Sequence, residues 1–70
     1  MRLKGTMLRF GAQGYGWASI DGSRKTAFVH INDVRERLAP REGDRIEFEI
    51  LETPKGPKAL DVELLIGVRQ

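Results

Sequence analysis

Bulky ring side chains recur at alternate positions in two short segments of the chain. Tyr15 and Trp17 lie in the first segment, and Phe28 and His30 lie in the second. Because successive residues of a β-strand point to opposite faces, each pair is expected to share one face of its strand. Such rings can stack on unpaired bases, since every base has a π-face. The spacing therefore predicts a surface that binds single-stranded nucleic acid, with core packing of the same rings as the alternative.

Basic residues are concentrated in the part of the chain that carries the rings. Residues 1–30 have a net charge of +4, whereas residues 31–54 have −3 and residues 55–70 have +1. A positive surface beside stacking rings suits a phosphate backbone. An ordinary solvated face is the alternative explanation of the charge clustering. The predicted phosphate contacts are Lys4, Arg9, Arg24, Lys25, Lys55 and Lys58.

The elements that must position these side chains are five short strands. Alternating apolar residues and turn signals predict strands over residues 3–10, 15–20, 26–31, 45–51 and 59–65. A single helical turn is expected over residues 34–38, and residues 53–58 are expected to form a loop. Closure into a barrel removes unpaired strand edges. We therefore expect an all-β, five-stranded antiparallel barrel, and an SH3-like barrel fits the same strand count.

Strict alternation assigns the two faces of each predicted strand. It places Leu8 and Phe10 on the face of the rings and Gly16 on the opposite face. Because Gly14 and Gly16 lack side chains beside the rings, a base is expected to approach the sheet closely there. The residues expected to fill the barrel are Met7, Ala18, Ile20, Val29, Ile31, Ile46, Phe48, Ile50, Leu60, Val62 and Leu64.

Length and composition restrict the class of protein. Seventy residues predict a single domain spanning residues 1–70. The chain has no cysteine and no apolar run near the roughly 18 residues that span a bilayer, so a cytoplasmic location without membrane contact is expected. With one histidine and no cysteine, the chain lacks metal-ligand spacing and a nucleophile–base pair. We predict no enzymatic activity, no cofactor, no metal and no small-molecule substrate.

The segments Gly14-Tyr15-Gly16-Trp17 and Phe28-Val29-His30 resemble the two ribonucleoprotein-type motifs of the cold-shock domain family. The similarity extends to Asp21-Gly22-Ser23, to residues 42–48 and to Lys55-Gly56-Pro57. This resemblance implies an oligonucleotide/oligosaccharide-binding (OB) barrel, single-stranded RNA or DNA as partner, and an RNA-chaperone role common among bacterial members. By position it implies Lys55 as a backbone contact and a base-stacking set of Phe10, Tyr15, Trp17, Phe28 and His30.

The first strand departs from the family pattern. Leu8-Arg9-Phe10 stands where the family usually has Lys-Trp-Phe, so one stacking ring is replaced by an arginine. Arginine can stack on bases and pair with phosphate, which predicts partial compensation. A protein-interaction or self-associating barrel that has lost nucleic-acid binding is the alternative function, with Leu8, Phe10, Tyr15 and Trp17 as its apolar patch. We expect a monomer or a weak homodimer.

Overall fold

The computed structural model describes residues 2–65 and consists of five strands around one core. The tail, Ile66–Gln70, whose role the sequence does not predict, lies outside these residues. The strands are β1 (Leu3–Phe10), β2 (Tyr15–Ile20), β3 (Thr26–His30), β4 (Arg45–Thr53) and β5 (Gly56–Leu64). They close into a barrel in the order β1-β2-β3-β5-β4, with β4 paired to β1. The predicted all-β five-stranded barrel is confirmed. Among the strand pairs within residues 2–65, only β3 and β5 are parallel.

The connection between β3 and β4 differs from the predicted single helical turn. It contains two 3-10 turns, Ile31–Asp33 and Arg35–Arg37. Glu36 and Arg37 have φ angles of 59° and 51°, which are left-handed and prevent the second turn from continuing as a helix. Between the two turns, buried Val34 forms a parallel bridge with Val62 and so ties this connection to β5.

The hairpin between β4 and β5 is longer than expected. The prediction of a loop over residues 53–58 was wrong, because both strands continue and leave Pro54 and Lys55 as the turn. The Thr53 hydroxyl donates to the Gly56 carbonyl at 2.6 Å and accepts from the Lys55 N–H at 3.2 Å. Gly56 has a φ angle of 119°, which a side chain would disfavour. These local bonds explain why the segment reverses within so few residues.

The interior of the barrel is mainly aliphatic, as predicted. Among the predicted core residues, Ile31, Ile50 and Leu64 are only partly buried. The expectation for Leu60 was wrong, because its neighbour Ala59 takes the inner position and the β4–β5 register shifts nearby. The buried apolar residues are Met7, Ala18, Ile20, Ala27, Val29, Val34, Ile46, Phe48, Ala59 and Val62.

A β-bulge in β1 changes which side chains this strand turns outward. Met7 pairs with Ala18 and Arg9 pairs with Trp17, so that Leu8 and Arg9 together oppose one residue of β2. Leu8 and Arg9 are both exposed, whereas Phe10 is half-buried and packs against the core. Strict alternation was therefore wrong beyond Met7: Phe10 leaves the ring face and Arg9 joins it.

Candidate nucleic-acid interface

Four rings form one contiguous cluster on the outer face of β2 and β3. The ladder places Tyr15 opposite His30 and Trp17 opposite Phe28. Residues directly opposite in an antiparallel pair share a face, and Gly16, Ala18, Ala27 and Val29 point the other way into the barrel. The predicted common face of the four rings, hereafter the ring cluster (Tyr15, Trp17, Phe28 and His30), is confirmed.

The rings of this cluster contact one another edge to face or at a tilt. Tyr15 lies 5.9 Å from Trp17 and 5.6 Å from Phe28, measured between ring centroids. Phe28 lies 5.7 Å from Trp17 and 6.4 Å from His30. These distances fall in the favourable range for aromatic pairs, about 4.5–7 Å. Tyr15 and Trp17 nevertheless keep 37% and 41% of their surface exposed, so the cluster retains π-faces for a ligand.

The orientation of His30 is fixed by the backbone that follows it. Its Nδ1 accepts a hydrogen bond from the Asn32 N–H at 3.1 Å and caps the first 3-10 turn. An Nδ1 that accepts leaves Nε2 as the ring's donor in the neutral imidazole. The His30 ring can thus stack beside Phe28 while its Nε2–H remains available to a base or phosphate oxygen.

Basic side chains lie around Trp17 and Phe28. A cavity of about 440 Å³ is lined by these two rings together with Lys55 and Lys58. An adjoining cavity of about 490 Å³ is lined by the same rings with Arg24, Lys25 and Lys55. The structure therefore brings four of the six predicted phosphate contacts to the ring cluster. Lys58 also pairs with Asp33 at 3.5 Å, so that its charge is partly neutralised within the protein.

The other two predicted cations, Arg9 and Lys4, do not line these two cavities. Arg9 reaches the ring face through the bulge, opposite Trp17. Lys4 pairs in register with Glu47 near the start of β1, five positions before Arg9, which corresponds to roughly 16 Å of strand. The structure therefore does not bring Lys4 to the ring cluster.

Glycine has a different role here from the one predicted at position 16. A Cβ on Gly16 would overlap the Arg9 carbonyl oxygen and lie 2.7 Å from the Phe10 Cα. Gly16 therefore lets β1 approach β2 on the inner side, and the idea that it lets a base approach the sheet was wrong.

Several residues that line these cavities carried no functional prediction from the sequence. Thr53, Gly56 and Pro57 line the cavities next to Trp17, and Glu42 shares a third cavity with Arg9. The sequence does contain a signal for Thr53, Gly56 and Pro57: the Thr-Pro-Lys-Gly run is typical of a tight turn that projects its lysine. Glu42 had no such signal, because an acidic residue in a turn ordinarily serves solvation.

The charges on β4 and β5, away from the ring cluster, are organised in ion pairs. Asp61 accepts from Arg35 Nε at 2.8 Å and from Arg2 at 3.0 Å. The hydrogen bond from Arg35, followed by its charge, lowers the pKa of Asp61. On β4, Arg45 binds Asp21, and this hydrogen bond lowers the pKa of Asp21. Within residues 2–65, Arg9, Arg24, Lys25 and Lys55 form no such pair.

Comparison with known proteins agrees with this geometry. The sequence profile of the 'Cold-shock' DNA-binding domain matches residues 3–65. The chain is 31% identical to a cold shock-like protein of Aquifex aeolicus, over 93% of this chain and 97% of that protein. It is 35% identical to the cold shock-like protein CspE of Escherichia coli, over 87% of this chain and 93% of that protein.

A solved structure shows the same fold at lower sequence similarity. Drosophila Unr CSD456 superposes with a TM-score of 0.77 at 19% identity, covering 94% of this chain and 27% of that one. The family profile and the two relatives, which match over more than nine-tenths of their own length, establish the family as well as the fold. The chain belongs to the cold-shock domain family, whose members are in general nucleic-acid-binding and non-enzymatic. Within residues 2–65 no helix is long and apolar enough to cross a membrane.

Proposed function

We propose that the protein binds single-stranded RNA or DNA by stacking bases on the ring cluster while nearby cations contact the phosphate backbone. The observation that carries this proposal is the shared outer face of Tyr15, Trp17, Phe28 and His30. Stacking contributes about 1–3 kcal/mol per base. Micromolar affinity corresponds to about 8 kcal/mol, and three or four such contacts supply most of it.

The proposed function includes a cellular role, a location and an oligomeric state. Contacts that are individually weak exchange readily, so such a surface can hold unpaired strands and melt weak RNA structure, as an RNA chaperone or cold-shock-type regulator does. We infer a cytoplasmic protein whose residues 1–70 act as one domain, as a monomer or weak homodimer. Family membership and the absence of cysteine support this inference.

Ring removal tests the proposal. Trp17→Ala and Phe28→Ala are each expected to weaken oligonucleotide binding by about 1–3 kcal/mol, because each removes one stacking surface. Binding is measured by anisotropy of a labelled single strand, and thermal unfolding verifies that each variant is folded. Trp17→Phe and Phe28→Tyr are the matched controls, since they keep a ring and should retain most of the affinity. Equal affinity for the alanine variants and the native protein would refute stacking on this cluster.

The alternative function is a self-associating or protein-binding barrel. Leu8 and Trp17 are 44% and 41% exposed on neighbouring strands, which favours an apolar contact. Phe10 is half-buried against the core and adds little to that patch. Salt-insensitive self-association without any response to oligonucleotides would favour this function over nucleic-acid binding.

A further inference from the structure

A cavity next to the bulge in β1 carries one basic and one acidic side chain. This cavity, of about 560 Å³, is lined by Leu8, Arg9, Phe10, Gly11 and Glu42. Its size lies within the usual range of ligand clefts, about 300–1,000 Å³. Exposed Leu8 and half-buried Phe10 give it apolar surface, while Arg9 and Glu42 give it one cation and one anion.

Glu42 is held next to the bulge by backbone hydrogen bonds. The Gly43 N–H donates to the Met7 carbonyl at 2.8 Å, and the Met7 N–H donates to the Asp44 carbonyl at 2.8 Å. The turn itself is closed by the Arg41 N–H, which donates to the Asp44 carboxylate at 2.9 Å. The backbone position of Glu42 relative to β1 is therefore set by the fold.

The two charged groups of this cavity do not satisfy each other. Within residues 2–65, Arg9 and Glu42 form no ion pair at 4.0 Å or less, with each other or with another residue, whereas Arg2, Arg35 and Arg45 all do. An unpaired guanidinium and an unpaired carboxylate on one cavity leave a fork of donors and a pair of acceptors available to a ligand.

The hydrogen-bonding groups of guanine match both Arg9 and Glu42. Its O6 and N7 accept a bidentate contact from an arginine. Its N1–H and exocyclic amine are neighbouring donors that a carboxylate accepts. Adenine places a donor where O6 would be, and uracil places two acceptors around its one N–H, so neither satisfies both charged groups. Single-strand binding leaves these base edges free for such recognition.

We propose that the Leu8–Arg9–Glu42 cavity is a guanine subsite that gives this cold-shock domain a preference for strands containing a guanine. Arg9 reads O6 and N7, Glu42 reads N1–H and the amine, and Leu8 contacts the base plane. The inference rests on the proposed single-strand binding and adds a base preference to it.

The direct test compares oligouridylates that carry one central guanine, adenine or cytosine. The guanine strand is expected to bind about tenfold more tightly than the others, within the range of one bidentate contact. Cytosine is the informative competitor, because its N4 amine could satisfy Glu42 alone. Guanine and adenine strands that bind within twofold of each other would overturn the proposal.

Variants and altered bases identify the atoms involved. Arg9→Met keeps an unbranched apolar stem but has no donor, so it should abolish the guanine preference in addition to any uniform loss of affinity that follows from the lost charge. 7-Deazaguanine, which lacks N7, should weaken binding to the native protein but not to Arg9→Met. Inosine, which lacks the amine, should weaken binding to the native protein but not to Glu42→Leu, which has no acceptor. A loss that persists in the matching variant would contradict the assignment.

Controls separate this proposal from the one on which it rests. Arg37→Lys and Glu36→Gln alter exposed charged side chains that line none of the three cavities, and they should leave the guanine preference intact. Oligouridylate binding without a guanine preference would overturn the subsite alone. Failure of every single strand to bind would overturn both proposals, and binding confined to guanine-containing strands would support the subsite.

Discussion

At the scale of single residues, the ring cluster is ordered before any ligand arrives. Each ring has a partner across the β2–β3 ladder, and His30 is additionally held by its bond to the Asn32 N–H. Association is opposed by the ordering of side chains, at about 0.5–1.5 kcal/mol for each one immobilised. Rings that are already packed on one another avoid much of this cost, which favours binding through weak individual contacts.

The cations near these rings differ in what they are expected to contribute. Lys55 lines both cavities beside Trp17 and forms no ion pair within residues 2–65. Lys4 is remote from the rings. For single strands the logarithm of affinity falls with the logarithm of salt concentration by about 0.7 for each phosphate neutralised. Lys55→Gln should therefore reduce that slope by about 0.7.

Lys4→Gln is the matched control for this measurement. It removes the same charge from the far end of β1 and should leave the slope unchanged. The slopes are obtained from anisotropy titrations over a series of salt concentrations. Equal effects of the two substitutions would contradict a localised phosphate contact and indicate that only net charge matters.

At the scale of elements, the junction of β1 and β2 determines which side chains reach the ring face. The bulge requires the β1 backbone to lie directly against Gly16. Because the obstructing atoms belong to the backbone, they cannot move aside as a flexible side chain would. The outward positions of Leu8 and Arg9 thus depend on Gly16, which itself faces the barrel interior.

Gly16→Ala is expected to destabilise the protein by about 3 kcal/mol, the upper part of the range for overpacking. The free energy of unfolding is measured by urea denaturation. Gly11→Ala is the matched control, since the nearest atom to a Cβ there is the flexible Gln13 Oε1 at 2.7 Å. Similar losses for both variants would show that the effect is that of replacing any glycine in this segment.

The sequence predicts the elements better than it predicts their irregularities. The period of two in Tyr15–Ile20 and Thr26–His30 is uninterrupted, so the ring face follows directly from it. The bulge in β1 has no residue signature, although strict alternation would place the charged Arg9 on the face of buried Met7. That conflict is a signal that could have indicated the bulge, because an unpaired buried arginine is strongly disfavoured.

Other differences arise from tertiary contacts. The inner position of Ala59, in place of Leu60, accompanies a left-handed φ angle of 51° at Asp61, where Arg2 and Arg35 converge. Glu42 lines a cavity only because its turn is bonded to Met7, more than thirty residues earlier. Neither arrangement is encoded in the local pattern of residues.

At the scale of the whole molecule, charge is divided between two regions. Four acidic side chains of β4 and β5 are paired with Arg2 or Arg35, namely Glu47, Glu49, Asp61 and Glu63. Arg9, Arg24, Lys25 and Lys55 carry no ion pair within residues 2–65. A net charge of only +2 thereby leaves an effective positive field on the ring face. Family membership, the barrel and this division of charge all favour a binding module.

The ion-paired region predicts a dependence of stability on pH. Arg35 lowers the pKa of Asp61 below the ordinary value of 3.8. A carboxylate whose pKa is lower in the folded state stabilises the fold above the unfolded value, and this contribution is lost as pH falls through the folded pKa. Asp61→Asn should therefore lower the melting temperature at pH 7 but not at a pH below that lowered pKa.

Asparagine suits this test because it tolerates the left-handed φ angle of Asp61. Glu52→Gln is the control, since Glu52 is exposed and forms no ion pair within the described part of the chain. It should shift the melting temperature little at either pH. A deficit for Asp61→Asn that is equally large in acid would show that the backbone, and not the carboxylate charge, is responsible.

Stacking of bases on the ring cluster can be followed through the emission of Trp17, because a stacked base quenches an indole. Trp17 is the only tryptophan in the chain, and 41% of its surface is exposed within that cluster. Titration with a short oligopyrimidine at low and at high salt is expected to quench its emission saturably, with a weaker apparent affinity at high salt. Unchanged emission at low salt, at strand concentrations well above micromolar, would show that bases do not stack on this cluster.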